Sequence, residues 1–178
     1  MDRRKRKTRQ AIKDAFLSLI ENKPIEKITI SELSTMADIG RGTFYTHYQD
    51  IYDLKNSIEQ ELIENLLHIF DETYPKDQDV NFKVFTKKLV SYVFENKDAF
   101  KIVFNQESSI DSTLKLKEYF IDRILISEKL DTNDVNNRIE VNFSVTGTLG
   151  VLYEWVNDEI EIGSDELIII IDSIIERF

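Results

Sequence analysis

An all-α fold is predicted by three features of this 178-residue sequence. Apolar residues recur at three-and-four spacing along the whole chain, period-two alternation is rare, and only two prolines and five glycines interrupt the pattern. About nine helices result. Three short ones form an N-terminal head, a long fourth leads out of it, and five more make a C-terminal helical body.

The elements follow in order. Helix one is predicted over Thr8 to Asn22, because Ile12, Ala15, Phe16, Leu19 and Ile20 share one helical face. Lys23-Pro24 ends it, since the residue before proline avoids helical geometry. Thr29 caps helix two, with Glu32 three residues on and with Ile28 and Leu33 placed as a hydrophobic staple. That helix stops near Ala37. Asp38-Ile39-Gly40 makes the turn, with Gly40 as the residue free to take costly backbone angles. Helix three covers Arg41 to His47. Phe44 and Tyr48 point inward, while Gly42 and Thr46 lie opposite, flanked by Thr43 and Tyr45. Asp50 caps helix four, which carries Leu54, Ile58, Leu62 and Leu66 toward Phe70. A polar break follows at Tyr74 to Asp79. Helices are then predicted near 81–95, 98–106, 110–130, 134–158 and 164–177.

Charge divides the chain. Residues 1–55 hold 11 Lys/Arg against 8 Asp/Glu, a balance of +3; residues 56–178 hold 12 against 25, a balance of −13. Six of the first nine residues are Lys or Arg. A basic head on an acidic body suits a nucleic-acid binder with a separate sensing or assembly part. The boundary is drawn at 55/56, inside helix four, giving a DNA-binding domain of 1–55 and an effector and dimerisation domain of 56–178. No cysteine is present, so disulfides, zinc fingers and thiol chemistry are excluded, in keeping with a cytoplasmic protein. The charged start has no apolar stretch before Thr8 and is unlike a secretory signal. The longest apolar run, Leu167 to Ile171, is far short of the roughly 20 residues of a membrane span.

Helices two and three read as a helix-turn-helix. Its second helix enters the major groove, which is about 12 Å wide and admits one helix. Arg41 is placed to pair with a guanine edge, Thr43 with a thymine methyl or a phosphate, and Tyr45 and His47 with phosphates. Gly42 and Thr46 keep the centre of the face small. Thr29 and Lys55 are further backbone contacts, and Arg3, Arg4, Lys5 and Arg6 form a basic arm.

These residues resemble the tetracycline-repressor (TetR/AcrR) family of bacterial regulators. The resemblance covers about residues 6–60. It rests on helix one, on Ile28-Thr29-Ile30, and on Arg41-Gly42-Thr43-Phe44-Tyr45-Thr46-His47-Tyr48. It implies a homodimer, a pseudo-palindromic double-stranded operator, no cofactor, and a C-terminal pocket for a small-molecule effector. By analogy Thr43, Tyr45 and His47 sit where the family touches DNA. Two departures stand out. Asp38 and Gly40 occupy positions where the family commonly has Gly in the turn and Ser as cap, and Gly in place of a capping Ser weakens a helix by only a few tenths of a kcal/mol. Ile51 stands where the family often anchors a phosphate with Lys, leaving Lys55 as the candidate replacement.

In the body, aromatic residues fall on helical spacing. The pocket the resemblance implies is drawn from Phe85, Tyr92, Phe100, Phe104, Tyr119, Phe120 and Phe143. The family's last two helices pair with their symmetry mates as a four-helix bundle. The matching surface here is Gly147, Gly150, Glu154, Ile170, Ile171, Ile174 and Phe178. Two glycines inside one helix, each about 1 kcal/mol worse than Ala, ask for a close neighbour. The last helix is apolar on most sides, which predicts burial.

A homodimeric repressor released by a small ligand is the leading expectation. The rival is a regulator or activator whose body binds a protein. An enzyme is not expected: there is no Gly-rich phosphate loop and no nucleophile elbow. His68 between Glu64 and Glu72 reads as a solvated helix face rather than a metal site.

Overall fold

The computed structural model describes residues 3–73, 82–104 and 110–175, with the side chains of 82, 102–104 and 110–113 left aside. Among the described residues there are nine α-helices and no strand, as expected of an all-α protein. They are α1 (Arg3–Ile20), α2 (Ile30–Met36), α3 (Arg41–Tyr45), α4 (Ile51–Thr73), α5 (Phe82–Glu95), α6 (Lys97–Phe104), α7 (Ile110–Ser127), α8 (Val135–Val156) and α9 (Ser164–Ile175), with a 3-10 turn at Ile25–Lys27. The chain forms two compact units, Met1–Glu61 and Leu62–Phe178. Phe178 and the 74–79 break lie outside the described residues.

In the first unit α1 packs on α2 and α2 on α3. Phe16, Leu33, Phe44 and Leu54 are fully buried at its centre, with Ile12, Ile28, Tyr48 and Ile51 around them. Fully burying one such side chain contributes about 1.5–3 kcal/mol. Arg9 fastens the periphery. Its Nε donates to the Tyr48 hydroxyl at 3.2 Å, another guanidinium nitrogen reaches Ser57 Oγ at 3.4 Å, and the group lies 5.5 Å from the Tyr48 ring centroid. Two of the predicted caps are formed. The Glu32 amide donates to Thr29 Oγ1, and the Asp53 amide donates to Asp50 Oδ1, while the Asp53 carboxylate accepts in turn from the Gln49 amide. The Glu32 carboxylate pairs with Lys23.

Helix α1 starts five residues earlier than expected. Arg3 to Lys7 are its first turns and not an extended arm. Nothing acidic offsets them in the first turn, although cations are unfavourable at the positive end of a helix.

The turn between α2 and α3 differs from expectation too. Asp38, not Gly40, takes the left-handed backbone (φ 52°); Gly40 is extended (φ −72°, ψ 146°) and serves as the N-cap of α3. The Ile39 amide bonds the Ser34 carbonyl and the Asp38 amide the Thr35 carbonyl, the paired bonds of a Schellman ending. Lys129 (φ 55°) and Asp158 (φ 63°) close α7 and α8 with the same bonding pattern. None of the glycines has positive φ, so the usual Gly signal for a helix end is silent here. A left-handed residue other than Gly costs roughly 1–2 kcal/mol, less for Asp. Lys129→Gly is therefore expected to stabilise the protein by about 1 kcal/mol, raising its melting temperature by roughly 2–4 °C in calorimetry. An unchanged or lower midpoint would mean that the lysine compensates for its backbone.

In the second unit α5 packs on α9 and α8, α7 on α8, and α6 on α8. The Phe70 ring meets Phe85 edge-on at 5.3 Å and Phe120 at 5.2 Å. Trp155 is buried, and its indole Nε1 donates to the Ile162 carbonyl at 2.9 Å, tying down the turn after α8. Lys97 and Lys101 both bond the Asp158 carboxylate and hold it at about 2, below the usual carboxylate range. The contribution of that pair is thus present at neutral pH and is lost only as pH falls through that value.

The last helix is less enclosed than expected. Leu167 and Ile171 are buried, but Ile169, Ile170 and Ile174 are exposed.

Candidate nucleic-acid interface

Helix α3 is short and two-faced. Phe44 and Tyr48 turn into the core, as their spacing requires, and this aims the rest outward. Arg41, Gly42, Thr43, Tyr45 and Thr46 are exposed, with Tyr45 60% accessible. The Thr46 hydroxyl donates to the Thr43 carbonyl at 2.6 Å and closes the helix. A Cβ built on Gly42 would meet nothing within 4 Å, so nothing in this chain requires glycine there.

His47 is half-buried beside this face. Burial, and then the charges of Arg9 and Lys5, push its imidazole below the usual value, so the neutral ring dominates at pH 7. Arg3, Arg4, Lys5 and Arg6 are all exposed, and Thr29 is exposed while it caps α2.

Lys55 departs from the expected set. It is 3% exposed, and its Nζ lies 2.9 Å from Glu59, also buried. A lysine held in that way does not present its charge to a phosphate. Ile51 is likewise buried, so this position packs the core where a lysine would point outward.

The second unit contains a cavity of about 60 Å³ with an almost wholly apolar wall. Of the seven aromatics expected there, Phe85, Phe100 and Phe120 line it. Phe70 and Thr86 line it too and were not anticipated; Phe70 was read as the end of a connecting helix. Tyr92 borders a separate open groove beside Lys83, Lys87 and Lys88. The Tyr119 hydroxyl faces Asp71, which also pairs with Arg123. Phe143 is 64% exposed. The Phe104 side chain lies outside those described.

Phe143 belongs to a different feature. With Ile139, Gly147, Gly150 and Glu154 it forms one exposed face of α8, beside exposed Ile170 and Ile174 of α9. A shallow apolar groove of about 120 Å³ runs between these helices. A Cβ on Gly147 or Gly150 would meet nothing within 4 Å. The described residues thus supply no close neighbour to either helical glycine. Ile171 is buried, and it lines both this groove and the aromatic cavity.

His68 is exposed and faces Glu72 at 3.6 Å; no group of three metal-binding side chains occurs among the described residues. No helix among them is long and apolar enough to cross a membrane.

An exposed polar helix on a three-helix head, followed by a helical body, is an arrangement that helix-turn-helix transcriptional regulators share. Residues 80–177 match the TetR-type family described as transcriptional regulator C-terminal region, and the chain belongs to the TetR family of transcriptional regulators. An uncharacterized HTH-type transcriptional regulator of Bacillus subtilis (strain 168), YxbF, is 22% identical over 152 residues, 83% of this chain. The chain spans 39% of the length of that curated relative. Two solved structures share the fold. A transcriptional regulator (TerR/AcrR family) from Aquifex aeolicus VF5 has a TM-score of 0.74 at 15% identity, covering 96% of this chain and 99% of that one. A Clostridium perfringens protein described as a fatty acid metabolism regulator has a TM-score of 0.65 at 19% identity, covering 89% and 92%. Regulators of this family bind DNA and typically dimerise.

Proposed function

We propose that this protein is a homodimeric repressor that binds a pseudo-palindromic operator and is released by a small molecule held in its second unit. Residues 1–55 serve DNA and residues 56–178 serve effector and partner. The observation that carries the DNA reading is the outward face of α3. Arg41, Thr43, Tyr45 and Thr46 are exposed around an open Gly42, and the basic residues that open α1 are exposed as well. The groove-facing centre is small, and the flanks carry donors for bases and phosphates. Support for dimerisation comes from the two open glycines and the exposed isoleucines of α8 and α9. A two-fold dimer presents two recognition helices to half-sites about one helical turn apart. The concave apolar cavity favours a small molecule over a protein as effector. Ligand and operator then oppose each other through a coupling energy of typically 1–3 kcal/mol.

Genome-wide footprinting with the purified protein tests the core of this reading. Protection of paired half-sites in a promoter is expected, with transcription from it rising when the gene is deleted. A protein that remains monomeric and binds no fragment of its own genome at low ionic strength would sink it.

The basic start of α1 gives a separate test. Changing Arg3, Arg4, Lys5 and Arg6 together to Gln should flatten the dependence of log K on log salt by about 0.9 for each phosphate contact removed. Fluorescence anisotropy between 50 and 200 mM salt reads this slope. An unaltered slope would show that these cations make no net contact with the duplex.

A further inference from the structure

We infer that the cavity of the second unit selects a compact, uncharged molecule about one ring in size with a single hydroxyl or carbonyl oxygen, and that Thr86 is the residue that recognises the oxygen. The inference rests on the effector reading above and narrows it to a chemical class.

Three observations carry it. The first is charge. None of the described residues lining the cavity is ionisable, so a carboxylate, phosphate or ammonium group would be buried there without a counter-charge. Moving an unpaired ion into such a wall is strongly unfavourable.

The second is size. The cavity holds about 60 Å³. An apolar cavity of roughly 150 Å³ takes up benzene. The space here is smaller and partly open, so a single small ring is the most it accepts without wider rearrangement of its wall.

The third is Thr86. It is 1% exposed, it lines the cavity, and its Oγ1 has no hydrogen-bond partner. A buried hydroxyl without a partner destabilises the empty protein. On a helix, a threonine commonly returns its hydroxyl to the backbone one turn earlier. This one does not. Ser144 and Thr148, on α8, are the other hydroxyl-bearing residues of the wall. A ligand oxygen reaching Thr86 satisfies the hydroxyl while the ring meets the aromatic and aliphatic remainder. Sites that hydrogen-bond a ligand oxygen discriminate strongly against analogues lacking it, because their own polar group is otherwise left unpaired.

Isothermal calorimetry on the full chain tests this with four probes of one size: p-cresol, toluene, benzoate and benzylammonium, at pH 7. p-Cresol is expected to bind and to raise the melting temperature, toluene to bind at least fivefold more weakly, and the two ions not to bind. In Thr86→Val, which keeps the shape and removes the oxygen, the preference of p-cresol over toluene should fall to less than twofold. The variant without ligand should melt at or above the parent. Benzoate or benzylammonium binding as well as p-cresol would overturn the class. So would an unchanged preference in Thr86→Val, or no binding of any probe. DNA affinity, measured on a footprinted promoter without additives, is independent of all four results. Its absence would remove the regulator reading and leave the cavity assignment untouched. p-Cresol binding with unaltered DNA affinity would support the ligand class while removing the effector role.

Discussion

Leucine in place of Gly147 is expected to leave each chain folded and to break the dimer. Within the chain a Cβ there meets nothing within 4 Å, and the rest of the side chain has the shallow groove beside Phe143 and Ile174 to occupy. Helix propensity even improves, by roughly 0.8–1 kcal/mol relative to glycine. Between chains the effect is the reverse. If the partner helix approaches over Gly147 and Gly150, an isobutyl group holds the axes apart and uncovers the exposed Ile139, Phe143, Ile170 and Ile174 around them. Sedimentation should show monomers where the parent gives dimers. Circular dichroism should show equal or greater helicity, and the melting temperature should no longer depend on protein concentration. Loss of the linked second head should weaken operator binding by about 10² or more. A variant that stays dimeric would relocate the interface away from these glycines.

Arg41→Ala should cost less in assembly and more in recognition. A bidentate arginine on a guanine is worth about 1–3 kcal/mol of discrimination. Two heads double this to roughly 2–6 kcal/mol, or about thirtyfold to more than ten-thousandfold in operator affinity. Because Arg41 is exposed, stability should move by less than about 0.5 kcal/mol. Tyr45→Phe, which removes one exposed hydroxyl, should weaken binding across sequences without relaxing base preference, as a phosphate contact would. Anisotropy with the operator and with single-base variants separates the two behaviours. Unchanged affinity in both variants would strip α3 of its role. Phe44→Ala is the contrasting case, because truncating that fully buried ring should destabilise by about 3–5 kcal/mol and lose DNA binding through unfolding.

Local chemistry explains which parts were legible beforehand. Thr29 and Asp50 act on amides three residues away, so their caps could be read from spacing alone. Phe44 on α3 and Tyr48 just past its end are four apart, and the Tyr48 amide still bonds the Phe44 carbonyl, so both face the core as helical spacing requires. The misreadings share another cause. Gly40 was expected to be left-handed because glycine is the cheapest residue for that role, yet Asp38 closes α2 through two backbone bonds that no side chain reports. Lys55 looked like a surface cation, but its neighbour Glu59 is buried with it, and burial depends on what packs over α4. Ile171 shares the expected surface with Ile170 only in part: one residue on a helix is a 100° turn, and Ile171 lies buried between the α8–α9 groove and the cavity, lining both. Phe70 and Thr86 carried no signal, because a cavity arises from several helices at once.

The lysines and arginines that open α1 have one more consequence. Like charges crowd the end of a helix whose own amides repel them, so the first two turns are held less firmly than their backbone bonds suggest. In dilute buffer their amide hydrogens should exchange early, and any polyanion, heparin included, should slow that exchange before a specific sequence is found. The start of α1 would then stiffen on first encounter with a duplex, and the choice of site would be left to α3.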